Sequence, residues 1–308
     1  MKKAILIVYM GGPSNLQEIK PFLFRLFSDR DLINLGVPSF LQKPLAYLIA
    51  SARAKKVKPN YEAIGGGSPT VKYSIEIAKE VEKLTGIKTF TGMLYSKPLL
   101  TETVKKIKEY NPDEIVAITL YPHYSFATAG ACIRDIKKEL PNAKVVKSWC
   151  DNPHYINWIT KQIKSAIKEL KNPFLLFSAH SLPKYLIERG DPYLKETEKT
   201  VSLVMKNLEQ IPYKLSFQSK IGPIEWIEPS TEETIKELGK SGIKELIIFP
   251  ISFISEHIET LFELDVEYKE VAEKAGIEKY VRVPLNHKDE NLIRAVATEC
   301  EKLFRSQR

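Results

Sequence analysis

Pro173-Phe174-Leu175-Leu176-Phe177-Ser178-Ala179-His180-Ser181-Leu182-Pro183 is a short apolar run that ends abruptly in a histidine. It reads as a parallel strand buried on both faces that delivers His180 to the loop beyond. In open α/β sheets, ligands sit outside the carboxyl ends of the strands, so a titratable ring placed there is poised for chemistry rather than packing. A histidine merely hydrogen-bonded at a strand end is the plainer reading of any single case. The company it keeps has to decide.

Outward from this strand the same alternation recurs. A first strand over 3–9 empties into Met10-Gly11-Gly12-Pro13, and a helix follows from about Asn15. A helix over 70–84, strands at 87–95, 113–121 and 143–149, and helices at 99–109 and 126–139 complete a first half. The second half repeats the rhythm, with helix 154–170, strand 173–180, helix 192–209, strand 212–218, helix 231–240, strand 243–251, helix 257–275, strand 279–283 and helix 289–305. The pattern predicts an α/β fold of two similar, doubly wound, Rossmann-like domains, 1–150 and 151–308, with parallel sheets facing a central cleft. That cleft is the default binding site, and the last helix is free to pack back on the first domain.

Composition narrows the function. With 308 residues the chain is long enough for two such domains, and nothing in it is low in complexity. No apolar run approaches the ~18 residues of a membrane span, and the N-terminus reads as a strand, not a signal peptide. Cys132, Cys150 and Cys300 lack CxxC spacing, which points to neither a disulfide framework nor a zinc or iron–sulfur site, and so to a reducing, cytoplasmic compartment. The net charge of +8 suits nucleic acid, an acidic membrane surface or an anionic small molecule. Lysines balanced by glutamates, without an aromatic-interleaved basic stripe, argue against nucleic acid. One basic cluster, Arg53, Lys55, Lys56 and Lys58, follows a proline-interrupted apolar segment containing Phe40, Leu41, Leu45, Tyr47, Leu48 and Ile49. Together, residues 38–58 predict a lip that touches a membrane surface or a partly apolar anion.

Three loops look functional. Ile64-Gly65-Gly66-Gly67-Ser68-Pro69 precedes a helix, yet it matches neither GxxxxGK[ST] nor GxGxxG, because Thr70 stands where the last glycine belongs. It suits a flexible linker or the close approach of a bulky flat ligand or another backbone. The stretch Ser216 to Trp226 leaves a strand carrying polar and aromatic groups together. The third, Pro250 to Tyr268, spaces Glu259, Glu263 and Glu267 at i, i+4 and i+8, one carboxylate stripe on a helix, with Glu256 a turn earlier. Acidic faces are usually just solvated, but helix-dipole stabilisation ends within the first turn. A cation drawn along the stripe towards a histidine supplies another cause.

Six segments in this order resemble the ferrochelatases, and the likeness covers nearly the whole chain: Met10-Gly11-Gly12-Pro13, Ile64 to Pro69, Tyr121-Pro122-His123-Tyr124-Ser125, Phe177 to Pro183, Gln218-Ser219-Lys220-Ile221-Gly222-Pro223 and Ser255-Glu256-His257-Ile258-Glu259-Thr260-Leu261. The resemblance implies insertion of Fe2+ into protoporphyrin IX with release of two protons to give protohaem, the last step of haem biosynthesis. It implies that His180 and Glu259 are the metal and proton-transfer pair, on opposite sides of the macrocycle's central nitrogens or nearly so, with Glu263 and Glu267 as a relay. Arg53, Tyr61 and Ser68 match porphyrin-contacting positions, and Met10 matches a residue close to the porphyrin face. Vertebrate relatives carry a [2Fe–2S] cluster on four cysteines. Here Phe126 stands at the first of those positions and the tail ends at Arg308. The expectation is therefore no iron–sulfur cluster and no resident cofactor, with Fe2+ as substrate.

The chemistry of the residues agrees. A porphyrin must lose two pyrrole protons as metal enters, so a base is needed at the ring centre, and a neutral histidine suits it. Apolar walls from Met10, Phe24 and Trp226 would favour a distorted ring over a flat one. Propionates call for cationic or hydroxyl anchors such as Arg53, Tyr61 and Ser68. A chelatase for another tetrapyrrole shares the histidine-and-glutamate logic, a porphyrin carrier has no use for the acidic stripe, and a nucleotide-binding protein lacks its phosphate motifs.

Overall fold

The computed structural model describes every residue except 34, 169, 209, 210, 221, 223 and 306–308. In the first half, β1 (Lys3–Tyr9) is followed by α1 (Ile19–Ser28), α2 (Ser39–Ala63), α3 (Thr70–Thr85), β2 (Lys88–Met93), α4 (Leu100–Tyr110), β3 (Glu114–Thr119), α5 (Ala131–Glu139) and β4 (Lys144–Val146). The second half runs α6 (Pro153–Ile167), β5 (Phe174–His180), α7 (Lys184–Glu188), α8 (Tyr193–Met205), β6 (Tyr213–Gln218), α9 (Thr231–Lys240), β7 (Glu245–Pro250), α10 (Tyr268–Lys274), β8 (Lys279–Arg282) and α11 (Glu290–Arg305). The α/β expectation, with two similar halves, holds.

Each half is built on a four-stranded, all-parallel sheet, in the orders β2-β1-β3-β4 and β6-β5-β7-β8. The central strands are apolar because helices cover both faces. In β1, Ala4 to Val8 are wholly inaccessible, as are Leu175, Leu176 and Phe177 in β5 and Leu246 to Phe249 in β7. Each such Val, Leu, Ile or Phe contributes about 1.5–3 kcal/mol by leaving water. The two orders are the same pattern. After the first strand the chain winds to one side, then returns to the other, so the connections leaving β1 and β3, and those leaving β5 and β7, diverge at a switch point. Met10 follows β1, and His180 closes β5.

The chain separates into two compact units. One comprises Met1–Leu120, Phe126–Lys147 and the stretch from Val296 onward, and the other Tyr121–Ser125 and Ser148–Ala295. The end of α11 is held in the first unit, where Lys144 Nζ donates to Leu303 O at 2.8 Å and Lys3 Nζ sits 4.8 Å from the Phe304 ring centroid. Tyr121–Ser125 is held in the second by α8 and the loop before it: His123 Nε2 lies 2.9 Å from Thr200 Oγ1, the Tyr124 N–H donates to Glu196, and Ser125 Oγ donates to Asp191 at 2.8 Å.

Three local expectations change. The segment from Pro38 is not interrupted by Pro44, because α2 runs unbroken for 25 residues with both Pro44 and Pro59 inside it. The helix packs on α1, where Gln42 Nε2 donates to Phe27 O at 2.8 Å, and this packing offsets the lost hydrogen bond. The helix expected over 126–139 begins as a π-helical turn, Phe126–Gly130, and the one expected over 257–275 begins as a π-helix, Glu259–Glu267. The triple glycine makes room for backbone, since a Cβ on Gly67 would lie 2.3 Å from Ser14 O.

Candidate active site

His180 is delivered by the carboxyl end of β5, and three contacts fix it. Its N–H donates to Ser252 Oγ at 2.9 Å, its carbonyl accepts from Tyr193 Oη at 2.9 Å, and its Nδ1 lies 2.6 Å from Ser181 O. A carbonyl only accepts, so Nδ1 carries the ring proton and Nε2 is left as the basic atom. That nitrogen lies 3.8 Å from Glu259 Oε1. Glu259 is carried in from the other strand at the switch point by the loop after β7. Residues 180 and 259, far apart in sequence, thus meet because β5 and β7 are adjacent.

The Glu259 carboxylate is bracketed by two imidazoles. Its second oxygen lies 2.7 Å from His257 Nδ1, which the Glu259 N–H also approaches at 3.0 Å. One nitrogen thus faces a donor and an acceptor, and its proton decides which contact is made. Burial opposes ionisation of Glu259, but the charge and hydrogen bond of His257, followed by the charge of His180, outweigh it and hold the carboxyl at about 2. The lowering acts while those imidazoles carry their protons.

Glu263 is held differently. It accepts from Gln218 Nε2 at 3.0 Å, Ser219 N at 2.8 Å, Ser219 Oγ, and Tyr268 Oη at 2.9 Å. Ser219 adopts φ +65°, a conformation rare outside glycine, and this turns both its donors onto the carboxylate. Gln218 also reaches the Glu259 carbonyl at 3.3 Å, so the end of β6 ties the two glutamates together. Glu267 is exposed as a residue, but partial desolvation of its carboxyl, and then the charges of Glu263 and Glu232, raise its pKa. Glu256 does not belong to the stripe. It turns away to Arg282 and Leu285 N.

The 3.8 Å between His180 and Glu259 does not fit their expected placement on opposite sides of a macrocycle's central nitrogens, or nearly so. A flat ring between two side chains needs roughly 7 Å, twice a carbon–carbon contact. The two groups therefore lie on one side of any flat ring placed at the site. His257, Gln218 and Ser219 had no assigned roles in the sequence, although the Glu256-His257-Ile258-Glu259 spacing was a signal for the first.

The remaining predicted residues lie in the first unit. Met10 is half-buried in a loop whose carbonyl accepts from Tyr95 N at 3.1 Å. Ser68 is buried, with its N–H on Pro13 O and its hydroxyl 2.7 Å from Thr70 Oγ1, which joins the Met10–Pro13 loop to the glycine loop. Arg53 and Tyr61 are two helical turns apart on α2. Tyr61 is buried, while Arg53 is half-buried with its guanidinium 5.8 Å from the Phe27 ring centroid. On the same helix Phe40 is 75% exposed and Leu48 65%, so the lip does present apolar surface. No helix among the described residues is long and apolar enough to cross a membrane.

A family model for Ferrochelatase matches residues 2–303. The chain is 43% identical over 298 residues to the ferrochelatase of Gloeothece citriformis, an alignment covering 91% of this chain and 77% of that one. It is 42% identical over 293 residues to the ferrochelatase of Aquifex aeolicus, covering 92% and 94%. Among solved structures, SirB from Bacillus subtilis with Fe3+ aligns with a TM-score of 0.61 at 12% identity, covering 100% of this chain and 98% of that one. At that identity the fold alone is shared.

Proposed function

The chain belongs to the ferrochelatase family, lyases that insert iron into a porphyrin in haem biosynthesis, and on that premise we propose that it converts protoporphyrin IX and Fe2+ to protohaem with release of two protons. The observation that carries this reading is the convergence of His180 Nε2 and the Glu259 carboxylate at the switch point of the second sheet. The two roles separate chemically. Glu259 offers a carboxylate oxygen, a hard ligand suited to hydrated iron, so it takes the metal. His180, with its proton on Nδ1, offers Nε2 to the pyrrole protons. Glu263 and the more exposed Glu267 pass hydrated iron inward. Loose holding suits that task, since the ion has to leave again.

Arg53, Tyr61 and Ser68 serve the porphyrin carboxylates, and Met10 the ring face. Ser68 and Tyr61 are buried, so Arg53 carries most of the charge recognition. No resident cofactor takes part. The protein works in the cytoplasm, with weak peripheral membrane contact through 38–58. Anaerobic incubation with ferrous iron and protoporphyrin IX, coproporphyrin III or sirohydrochlorin in parallel tests the proposal. Collapse of the free-base Q bands fastest with protoporphyrin IX is expected. Faster metalation of either other ring overturns the substrate, and no metalation of any ring overturns the activity.

A further inference from the structure

The nine-residue π-helix that carries Glu259 and Glu263 has an anchor outside the site. A π-helix is a strained winding, uncommon beyond a single turn, and it persists only where its surroundings hold it. The holding residues lie on the edge strand β8. Alternation along a strand puts Tyr280 and Arg282 on one face, and both reach the π segment. Tyr280 Oη donates to Leu264 O at 2.7 Å. Arg282 forks onto Asp265, with Nε to Oδ1 at 2.8 Å and Nη2 to Oδ2, while its Nη1 donates to Glu256 Oε1. Glu256 in turn accepts from Thr260 Oγ1 at 2.6 Å and from Leu285 N at 2.8 Å. Arg282 is 9% exposed. One buried guanidinium therefore grips the chain three residues before Glu259 and two residues after Glu263.

From this geometry we infer that Arg282 is a positioning residue for iron handling: by pinning Glu256 and Asp265 together it fixes the π-helical winding that aims Glu259 and Glu263 into one path. It also takes two acids out of the run of five between 256 and 267, so that the incoming cation meets only the stripe. Arginine suits the task because its planar fork satisfies Asp265 with two nitrogens and still has a third for Glu256. Lysine offers the same charge without the fork. The inference rests on the roles given above to Glu259 and Glu263.

Steady-state iron insertion by Arg282→Gln and Arg282→Lys, well below each variant's melting temperature, tests it. Expected is a loss in kcat/KM for ferrous iron of about 10- to 100-fold in the Gln variant, the usual effect of removing a group that orients metal ligands. The Lys variant should be intermediate, and porphyrin KM unchanged. A folded Arg282→Gln with wild-type iron kinetics overturns the inference, as does an equal loss for porphyrin and iron. If the Gln variant does not fold, Asp265→Asn, which keeps the Glu256 contact, should show the same iron-specific loss in weaker form, and wild-type iron kinetics there overturn it too. Glu259→Gln measured alongside separates the two layers. With that variant inactive, a normal Arg282→Gln sinks the role of Arg282 alone. Full activity in Glu259→Gln sinks the site reading, and this inference with it.

Discussion

His180 Nε2 stands 3.8 Å from Glu259 Oε1, too far for a hydrogen bond and near enough for one small cation to touch both. A basic nitrogen and a carboxylate repel unless a proton or metal lies between them. Loss of either partner should therefore remove function without undoing the fold.

His180→Ala should bind porphyrin as the wild type does while metalation falls about 100- to 10,000-fold, the usual contribution of a positioned proton acceptor. Porphyrin fluorescence quenching gives the affinity and absorbance the rate. Wild-type metalation in this variant rules His180 out as the base.

The glutamates should respond in graded fashion. Glu259→Gln should nearly abolish turnover. Glu263 accepts from four donors, and an amide in its place turns a donor towards them, so Glu263→Gln should cost about 1–3 kcal/mol of stability and raise the iron KM. Glu267→Gln, on the exposed end, should gain a few tenths of a kcal/mol and change kinetics least. Thermal melts together with iron-dependent kinetics check all three. Unchanged kinetics with raised stability throughout would leave the stripe a solvated face.

Stability should carry the signature of Glu259. Its carboxyl is held at about 2 in the fold against an ordinary 4.5, so folding favours the ionised form. That contribution is complete above about 4.5 and is lost as pH falls towards 2. The difference in melting temperature between wild type and Glu259→Gln should shrink as pH falls from about 4.5 towards 2. His257→Asn removes the charge and hydrogen bond that chiefly lower the pKa, and should move the onset upward. A difference that does not shrink on acidification contradicts the assignment.

Arg53→Ala should raise the porphyrin KM more than it lowers kcat, because a rim cation holds a carboxylate equally well before and during metal entry. With a porphyrin dimethyl ester, wild type and variant should behave alike. A large difference on the ester removes the carboxylate from the explanation.

The exposed Phe40, Leu41, Tyr47 and Leu48, flanked by Arg53 to Lys58, should give weak association with anionic vesicles that high salt reverses. Co-sedimentation at low and high salt measures it. Absence of binding at both confines the lip to the porphyrin.

Much of this was legible in the chain. An unbroken apolar run ending at His180 defines a buried parallel strand and its carboxyl end, because only a strand covered on both faces can be apolar at every position. Six ordered segments identified the family, and the Glu259, Glu263 and Glu267 spacing identified the acids. These signals are local, and local sequence carries them. Tertiary structure decided the rest. Gln218, Ser219 and Arg282 make contacts that only the folded sheet brings about: Ser219 reaches Glu263 from 44 residues away and Arg282 reaches Glu256 from 26. Whether Glu256 joins the stripe or turns to Arg282, and whether the segment winds as α or π, depends on which partners β6 and β8 present. A hydrogen-bonded spacing of one residue more per turn leaves the sequence pattern almost unchanged, while it redirects every carboxylate the pattern contains.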